Sequence, residues 1–169
     1  MQGSRKAQRE LYNAYADGMY NVAFRMVKNA EDAEDILQNA FLEVFRNLKN
    51  FRYQSTPGAW IKRIVVNKAL NFLKKEQRIN VVSLADQTDK EWSESNDKIT
   101  YADYDIDVVK KSIDNLPQGY RIVLSLYLIE GYDHKEIGQI LHISEATSKS
   151  QYSRARKKLR EIIRHEINV

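Results

Sequence analysis

The segment from Asp133 to Ile162 restricts the fold more than any other part of the sequence. It begins with Asp133-His134-Lys135-Glu136, in which a capping residue is followed three positions later by an acid, as at the start of many helices. Leu141-His142-Ile143-Ser144 then makes a short turn, and Ser144 can cap a second helix. Two helices around a tight turn predict a helix-turn-helix. The residues expected to point inward are Ile137, Ile140, Leu141, Tyr152, Ala155, Leu159 and Ile162.

The outer face of the second helix is expected to be polar and basic. A basic helix that follows a tight turn is the geometry that places a recognition helix in the major groove of DNA. Glutamine can read adenine and arginine or lysine can read guanine, while hydroxyls and lysines also contact phosphates. The alternative is a generic helical hairpin with a solvated basic face. The residues predicted to contact duplex DNA are Thr147, Lys149, Ser150, Gln151, Arg154 and Lys158.

Two small residues of this segment carry separate expectations. Gly138 is expected to let a second helix cross the first one closely. Ser148 lies four residues before Tyr152, on or near the stripe that should be buried. A polar residue there should weaken packing unless its hydroxyl bonds back to the helix backbone.

The rest of the chain also has helical periodicity. Only 6 glycines and 2 prolines occur in 169 residues, so loops should be few and short, which favours an all-α protein. Apolar residues recur at helical spacing in residues 6–28, 30–48 and 57–76. Asn29 and Thr56 are plausible helix caps, and Pro57 suits a first turn.

The distribution of charge predicts two modules. The net charge is only +4, but residues 60–78 hold six basic residues and residues 145–164 hold seven. Between them, residues 83–107 hold eight acids and two lysines. Two basic blocks around an acidic middle suggest two polyanion-binding modules, or else two solvated helix faces. We therefore predict two small helical domains, residues 5–78 and 104–167, joined by an acidic linker, residues 79–103, with the helix-turn-helix in the C-terminal domain.

Several classes of protein are not expected. The chain has no cysteine, which excludes a disulfide framework and a thiolate metal site. No stretch approaches the roughly 18 apolar residues of a membrane span, and the N-terminus lacks a signal core, so a cytoplasmic protein without membrane insertion is expected. The three histidines form no obvious triad or metal constellation, and no glycine-rich phosphate loop occurs. We expect no enzymatic activity, cofactor, metal or small-molecule substrate.

Three segments together resemble the sigma-70 family, specifically its extracytoplasmic-function (ECF) group. Asp32-Ala33-Glu34-Asp35-Ile36-Leu37-Gln38-Asn39-Ala40-Phe41 looks like region 2.2, and Phe51 through Leu73 resembles regions 2.3 and 2.4. Leu116 through Leu159, including Ser150-Gln151-Tyr152-Ser153-Arg154-Ala155-Arg156, looks like region 4. The resemblance implies a factor that directs RNA polymerase core enzyme to promoters, recognises the minus-thirty-five element and melts the minus-ten element.

The resemblance also implies partners and sites. The partners would be RNA polymerase core enzyme, promoter DNA and an anti-sigma factor. Contacts to core polymerase would come from Asp32, Asp35, Gln38, Asn39 and Glu43. Contacts to the minus-ten element would come from Phe51, Tyr53, Arg63, Asn67, Lys68 and Lys74. The six residues of the second helix would contact the minus-thirty-five element.

The sequence departs from the family pattern at three positions. Asn39 stands where an acid is common, Ser148 replaces the usual valine, and Gln151 stands where arginine or histidine is common. Simpler interpretations stay open at the sites: Phe51 and Trp60 could be core aromatics, and the polar face around Asp35 could be merely solvated. A stand-alone helix-turn-helix regulator is the main alternative function, and a helical adaptor is another.

Overall fold

The computed structural model describes residues 4–76 and 105–167 of the chain. All regular elements in these two ranges are helices, which confirms the prediction of an all-α protein. The chain divides into two compact units, residues 1–78 and 79–169, which we call the N-terminal unit and the C-terminal unit. The predicted acidic linker, residues 79–103, lies outside the described residues.

Two helices of the N-terminal unit begin at the predicted caps. Asn29 Oδ1 accepts a hydrogen bond from the Asp32 amide at 3.0 Å, and Thr56 Oγ1 accepts one from the Ala59 amide at 3.2 Å. These bonds satisfy amides that have no partner within the first turn of a helix. The described elements are α1 (Arg5–Val27), α2 (Ala30–Asn47), a 3-10 turn (Leu48–Asn50) and α3 (Pro57–Lys75).

The core of the N-terminal unit forms where α1, α2 and α3 pack against one another. Phe41 of α2 is buried there and meets Tyr12 of α1 edge-on, with 4.8 Å between ring centroids. The apolar residues at helical spacing in α2 are buried from Ile36 to Val44, whereas Leu48 is exposed. Leu48 begins the 3-10 turn, whose tighter winding rotates it away from the apolar stripe.

The C-terminal unit is organised around its last helix. The described helices are α4 (Ile106–Asp114), α5 (Gln118–Leu128), α6 (His134–Leu141) and α7 (Glu145–Ile167). α7 packs against α4, α5 and α6, so all three hold it in place. Leu116, Leu124 and Ala155 are buried together, with Leu159 and Ile162 packed against them.

The helix-turn-helix is present between Asp133 and Ile162, as predicted. The Glu136 amide donates to Asp133 Oδ1 at 2.7 Å, and the Asp133 amide donates to Glu136 Oε2 at 2.9 Å, which completes a capping box. Ser144 caps α7, since its Oγ accepts a hydrogen bond from the Thr147 amide at 2.9 Å. The start of each of these two helices is therefore determined by a capping residue and the amide three positions after it.

Gly138 is required by the turn rather than by a crossing helix. A Cβ atom at this position would lie 2.8 Å from the carbonyl oxygen of Ile143, closer than real Cβ contacts allow. His142, between them, adopts a left-handed backbone with φ 59° and ends α6. The absence of a side chain at Gly138 therefore lets the turn fold back against α6.

Arg121 holds the turn between α4 and α5. Its guanidinium is buried and donates through Nη1 to the carbonyl oxygens of Asp114 and Leu116, each at 3.2 Å. Burial lowers the pKa of Arg121, and the nearby Asp114 carboxylate acts in the opposite direction. The Arg121 guanidinium thus donates, inside the unit, to carbonyl groups at and just after the end of α4 that have no partner within the helix.

Candidate nucleic-acid interface

An aromatic ladder lies at the loop before α3. The ring centroids of Phe51 and Tyr53 are 4.8 Å apart, and those of Phe51 and Trp60 are 5.0 Å apart. Phe51 and Trp60 are half-buried, whereas Tyr53 is 83% exposed. Neither Phe51 nor Trp60 is a fully buried core residue. Phe51 packs against the outer ring, that of Tyr53, and Trp60 packs against Phe51, so both support it. Aromatic rings that are exposed in this way can stack on unpaired bases.

The backbone of Tyr53 has an unusual conformation. Tyr53 has φ 56°, in the left-handed region that residues other than glycine seldom adopt. This conformation costs about 1–2 kcal/mol in an ordinary residue. Tyr53 is thus a strained residue at the tip of the ladder. Backbone strain of this kind is found more often at functional sites than elsewhere.

The outer face of α3 continues from the ladder. Trp60, Asn67 and Lys74 are spaced by seven residues, or two helical turns, and so lie on one side of the helix. Asn67 is exposed, and Arg63, Lys68 and Lys74 are half-buried. The structure thus brings the predicted minus-ten residues together along the loop and one helix. A carboxamide and several cations beside stacked rings suit a strand with bases and phosphates exposed.

Lys68 and Glu43 contact each other, although the sequence assigned them to different partners. Lys68 Nζ lies 2.6 Å from Glu43 Oε2, between α3 and α2. Both side chains are partly exposed, so the pair contributes about 0–1 kcal/mol to stability. An external phosphate or basic partner would have to compete with this internal ion pair.

The polar face of α2 carries the predicted polymerase-binding residues. Asp35, Gln38 and Asn39 are exposed, and Asn39 Nδ2 donates to the Asp35 carbonyl at 2.8 Å. Leu42, one helical turn further along, is 53% exposed and interrupts this polar face. We did not predict Leu42, although its position off the buried stripe of α2 was visible in the sequence. An apolar side chain surrounded by polar ones is typical of a protein-binding surface.

Several predicted duplex-binding residues of α7 have partners within the helix. Lys149 Nζ lies 2.6 Å from Glu145 Oε1, and this hydrogen bond lowers the pKa of Glu145. Ser150 Oγ donates to the Thr147 carbonyl at 2.9 Å, and Lys158 Nζ lies 3.1 Å from Glu161 Oε2. Local pairs of this kind are weak, so DNA phosphates can displace them.

Gln151 does not lie on the outer surface of α7, and that prediction is wrong. Its side chain is 1% exposed. It lies three residues after Ser148 and four before Ala155, both fully buried, so helical geometry places all three on the side that faces α5 and α6. Gln151 therefore cannot contact a base directly in this conformation. Arg156 and Lys157, which we did not predict, are exposed instead.

Ser148 is buried, as predicted, but its hydroxyl finds a partner on another helix. Ser148 Oγ lies 3.0 Å from Nδ1 of His134, the first residue of α6. The imidazole stacks on Tyr127 with 4.5 Å between ring centroids and meets Tyr152 edge-on at 5.5 Å. The polar residue at position 148 is thus satisfied by a side chain rather than by the helix backbone.

The surroundings of His134 favour the neutral form of its ring. Burial lowers the pKa of His134, and the nearby Lys149 ammonium lowers it further. Glu145 and Asp133 act in the opposite direction but more weakly. A neutral imidazole forms one hydrogen bond with the Ser148 hydroxyl in either tautomer, as donor or as acceptor.

Within residues 4–76 and 105–167, no helix is both long enough and apolar enough to cross a bilayer. The same residues contain no group of three His, Cys, Asp or Glu side chains that could hold a metal ion.

Both units match known protein families. Residues 11–79 match the family model described as Sigma-70 region 2, and residues 106–159 match the one described as Sigma-70, region 4. RNA polymerase sigma factor SigV of Bacillus subtilis (strain 168) is 30% identical over 141 residues, which cover 83% of this chain and 81% of SigV. The chain belongs to the sigma-70 family. This confirms the predicted family and favours a sigma factor over a stand-alone regulator.

The ECF group of the sigma-70 family is supported by a further relative. The ECF RNA polymerase sigma factor SigE of Mycolicibacterium smegmatis is 32% identical over 156 residues, or 91% of this chain. The match covers 60% of the length of SigE. Proteins of the sigma-70 family are transcription initiation factors rather than enzymes.

A solved structure supports the sigma-70 fold. The sigma factor RpoE of Bartonella quintana, solved in complex with the anti-sigma factor NepR, is similar with a TM-score of 0.62. The sequence identity is 21%, and the match covers 94% of this chain and 98% of that one. The helical architecture of the described residues is therefore shared with a solved sigma factor.

Proposed function

We propose that this protein is a sigma factor that directs RNA polymerase core enzyme to promoters and initiates transcription. Residues 5–78 bind core enzyme and melt the minus-ten element, residues 104–167 bind the minus-thirty-five element, and residues 79–103 join them. The observation that carries this proposal is the presence, in one chain, of two different surfaces whose chemistry suits nucleic acid. The N-terminal unit offers exposed aromatic stacking, and the C-terminal unit offers a helix for the major groove.

The aromatic ladder supports strand opening at the minus-ten element. A base that leaves the duplex loses its stacking partners, and an aromatic ring that replaces them recovers about 1–3 kcal/mol per base. Tyr53 is accessible for that contact, with Phe51 and Trp60 behind it. Asn67 can hydrogen-bond the edge of a flipped base, while Arg63, Lys68 and Lys74 lie where phosphates would pass.

The exposed face of α7 supports duplex recognition upstream. Thr147, Lys149 and Ser150 lie in its first two turns, the part of a recognition helix that reaches base edges. Arg154 and Lys158 follow toward the middle of α7, where contacts to phosphates are common. Gln151 takes no direct part, because it is buried.

The polar face of α2 supports docking on core polymerase. Asp32, Asp35 and Glu43 offer carboxylates to a basic surface, and Gln38 and Asn39 offer amides. Complementary charge of this kind mainly sets the rate and register of association. Leu42 adds an apolar centre that would be desolvated on binding.

The proposal extends to regulation and location. We infer that an anti-sigma factor binds this protein, as NepR binds RpoE in the Bartonella structure. We also infer that the protein acts in the cytoplasm, has no enzymatic activity and needs no cofactor. The rival function, a stand-alone regulator, would leave the aromatic ladder and the polar face of α2 without a role.

Transcription reconstituted with and without core polymerase tests the proposal. Promoters are selected from a randomised DNA library by the protein together with core enzyme. Specific transcripts should appear only when both are present, since the two DNA-binding units need the polymerase to set their spacing. Tight, specific duplex binding by the protein alone, as a dimer on a two-fold site, would support the rival regulator.

A double variant tests the docking surface on α2. Asp35→Lys/Gln38→Lys should abolish stimulation of core enzyme, because it reverses the charge of the exposed face. Glu10→Lys/Asn13→Lys makes the same net charge change at exposed positions on α1 and serves as the control. Unchanged initiation by the α2 variant would sink the assignment.

A further inference from the structure

The contact between His134 and Ser148 joins the two helices of the helix-turn-helix by a hydrogen bond. Ser148 Oγ lies 3.0 Å from His134 Nδ1, and Ser148 is 0% exposed. Ser148 lies in α7 between Thr147 and Lys149, two of the proposed duplex-binding residues. Any motion of Ser148 about the axis of α7 therefore moves these neighbours as well.

The imidazole that accepts or donates this bond is itself held on two sides. Tyr127 of α5 stacks on it almost in parallel, at 16° between ring planes, and Tyr152 of α7 meets it edge-on at 60°. Tyr127 and Tyr152 also contact each other, with 4.5 Å between centroids. The position of His134 Nδ1 is thus set by α5, α6 and α7 together.

We propose that His134 and Ser148 are positioning residues that fix the rotation of α7 about its own axis and thereby its sequence selectivity. This deepens the proposed function, on which it rests. Apolar contacts between helices are non-directional and tolerate small rotations, whereas a hydrogen bond has a narrow range of distance and angle. The contact therefore selects one rotation from those that the apolar core permits.

A small rotation of α7 displaces the side-chain ends that would contact the DNA. Side-chain ends lie about 5–6 Å from the axis of an α-helix, so a rotation of about 10° moves them by roughly 1 Å. A shift of that size takes a hydrogen bond to a base edge outside its normal range of about 2.7–3.2 Å. Contacts to phosphates tolerate such a shift better, because the flexible side chain of a lysine can adjust to a displaced phosphate. Loss of the contact should thus reduce selectivity more than overall affinity.

Two single variants and their combination separate positioning from stability. His134→Phe keeps an aromatic ring between Tyr127 and Tyr152 but cannot bond to Ser148, and Ser148→Ala removes the hydroxyl. His134→Phe leaves the fully buried Ser148 hydroxyl without its partner, and Ser148→Ala leaves the half-buried His134 Nδ1 without one, so each substitution destabilises the unit. The double variant leaves neither group, so its thermal stability should return toward that of the wild type.

The experiment uses the full chain with core polymerase. The probes are the upstream sequence that the wild-type holoenzyme selects from a randomised promoter library and a base-scrambled version of it. Selectivity is the ratio of binding to the two, and thermal stability is followed by circular dichroism. Ser112→Ala removes another fully buried hydroxyl of the C-terminal unit, one that has no hydrogen-bond partner among residues 4–76 and 105–167, and serves as the control.

His134→Phe and Ser148→Ala should each lower selectivity about fivefold, the factor that corresponds to one net hydrogen bond. The double variant should show the same loss as either single variant, since all three lack the same contact. The proposal requires that selectivity stays low in the double variant while stability recovers. Ser112→Ala should keep wild-type selectivity.

Selectivity that recovers together with stability in the double variant would overturn the proposal, because the contact would then act only through folding. Wild-type selectivity in both single variants would overturn it as well. In both cases the wild-type holoenzyme still selects a sequence, so the proposed function survives. A wild-type holoenzyme that selects no sequence would overturn the proposed function, and this inference with it.

Discussion

Replacing Tyr53 by alanine should slow promoter melting while leaving the fold intact. Tyr53 is 83% exposed, so the substitution removes little buried surface and should change the free energy of unfolding by less than about 0.5 kcal/mol. An unpaired base that stacks on its ring would lose about 1–3 kcal/mol of stabilisation. Since 1.4 kcal/mol corresponds to tenfold, the open complex should become about 5- to 150-fold less favourable.

The assay is the reactivity of unpaired thymines toward permanganate in complexes of the holoenzyme with a selected promoter. Tyr53→Phe keeps the ring and should melt the promoter like the wild type. Tyr53→Gly removes the ring and also relieves the left-handed strain at φ 56°, so it should melt promoters as poorly as alanine without loss of stability. Gln54→Ala, at the exposed neighbouring position, is the control.

The result that would refute the stacking argument is equal melting by wild type and Tyr53→Ala. A loss in Gln54→Ala as large as that in Tyr53→Ala would also refute it, because the loop rather than the ring would then be responsible. Binding of the closed duplex should be unchanged in every variant, since this ladder contacts DNA only after strands separate.

Three further predictions concern the C-terminal unit. Because the pKa of His134 is lowered on folding, its stabilising contribution is present above the unfolded pKa of about 6.5 and is lost as the pH falls below it. The urea midpoint should therefore decrease over that pH range, and in His134→Phe this part of the decrease should be absent. Arg121→Met should cost about 1–3 kcal/mol in urea denaturation, because the carbonyls of Asp114 and Leu116 lose their donor; Arg121→Lys should lose less, and equal losses would contradict this. Gln151→Ala should lower thermal stability and weaken binding to all DNA sequences in equal proportion, so a change of base preference in promoter selection would show that Gln151 reaches the DNA.

Local structure was predictable from the sequence because it depends on neighbouring residues. The caps at Asn29, Thr56, Asp133 and Ser144 each act on an amide within three positions, so their patterns are visible without a fold. The turn at residues 141–144 was predicted correctly, whereas the role of Gly138 differs from the predicted one, since the atom close to it belongs to the turn rather than to a crossing helix. The order of the three family-like segments also needed only the sequence.

The candidate sites depended more strongly on tertiary structure. Glu43 and Lys68 are separated by 25 positions in the chain, and only the packing of α2 against α3 makes them an ion pair. The position of Leu42 off the buried stripe of α2 was visible in the sequence, but its exposure within a polar face became clear only from the structure. Helical periodicity defines which residues share a side, but it does not say where another helix will cover that side.

The helix-turn-helix shows both contributions. From the sequence alone, its caps, its turn and its basic second helix were determined, because each is written in residues that lie close together. The rotation of α7 was not, and with it neither the burial of Gln151 nor the bond between Ser148 and His134. That rotation depends on the contacts that α7 makes with α4, α5 and α6, including the bond to His134, and the sum of these distant contacts decides which residues of the helix remain available to DNA.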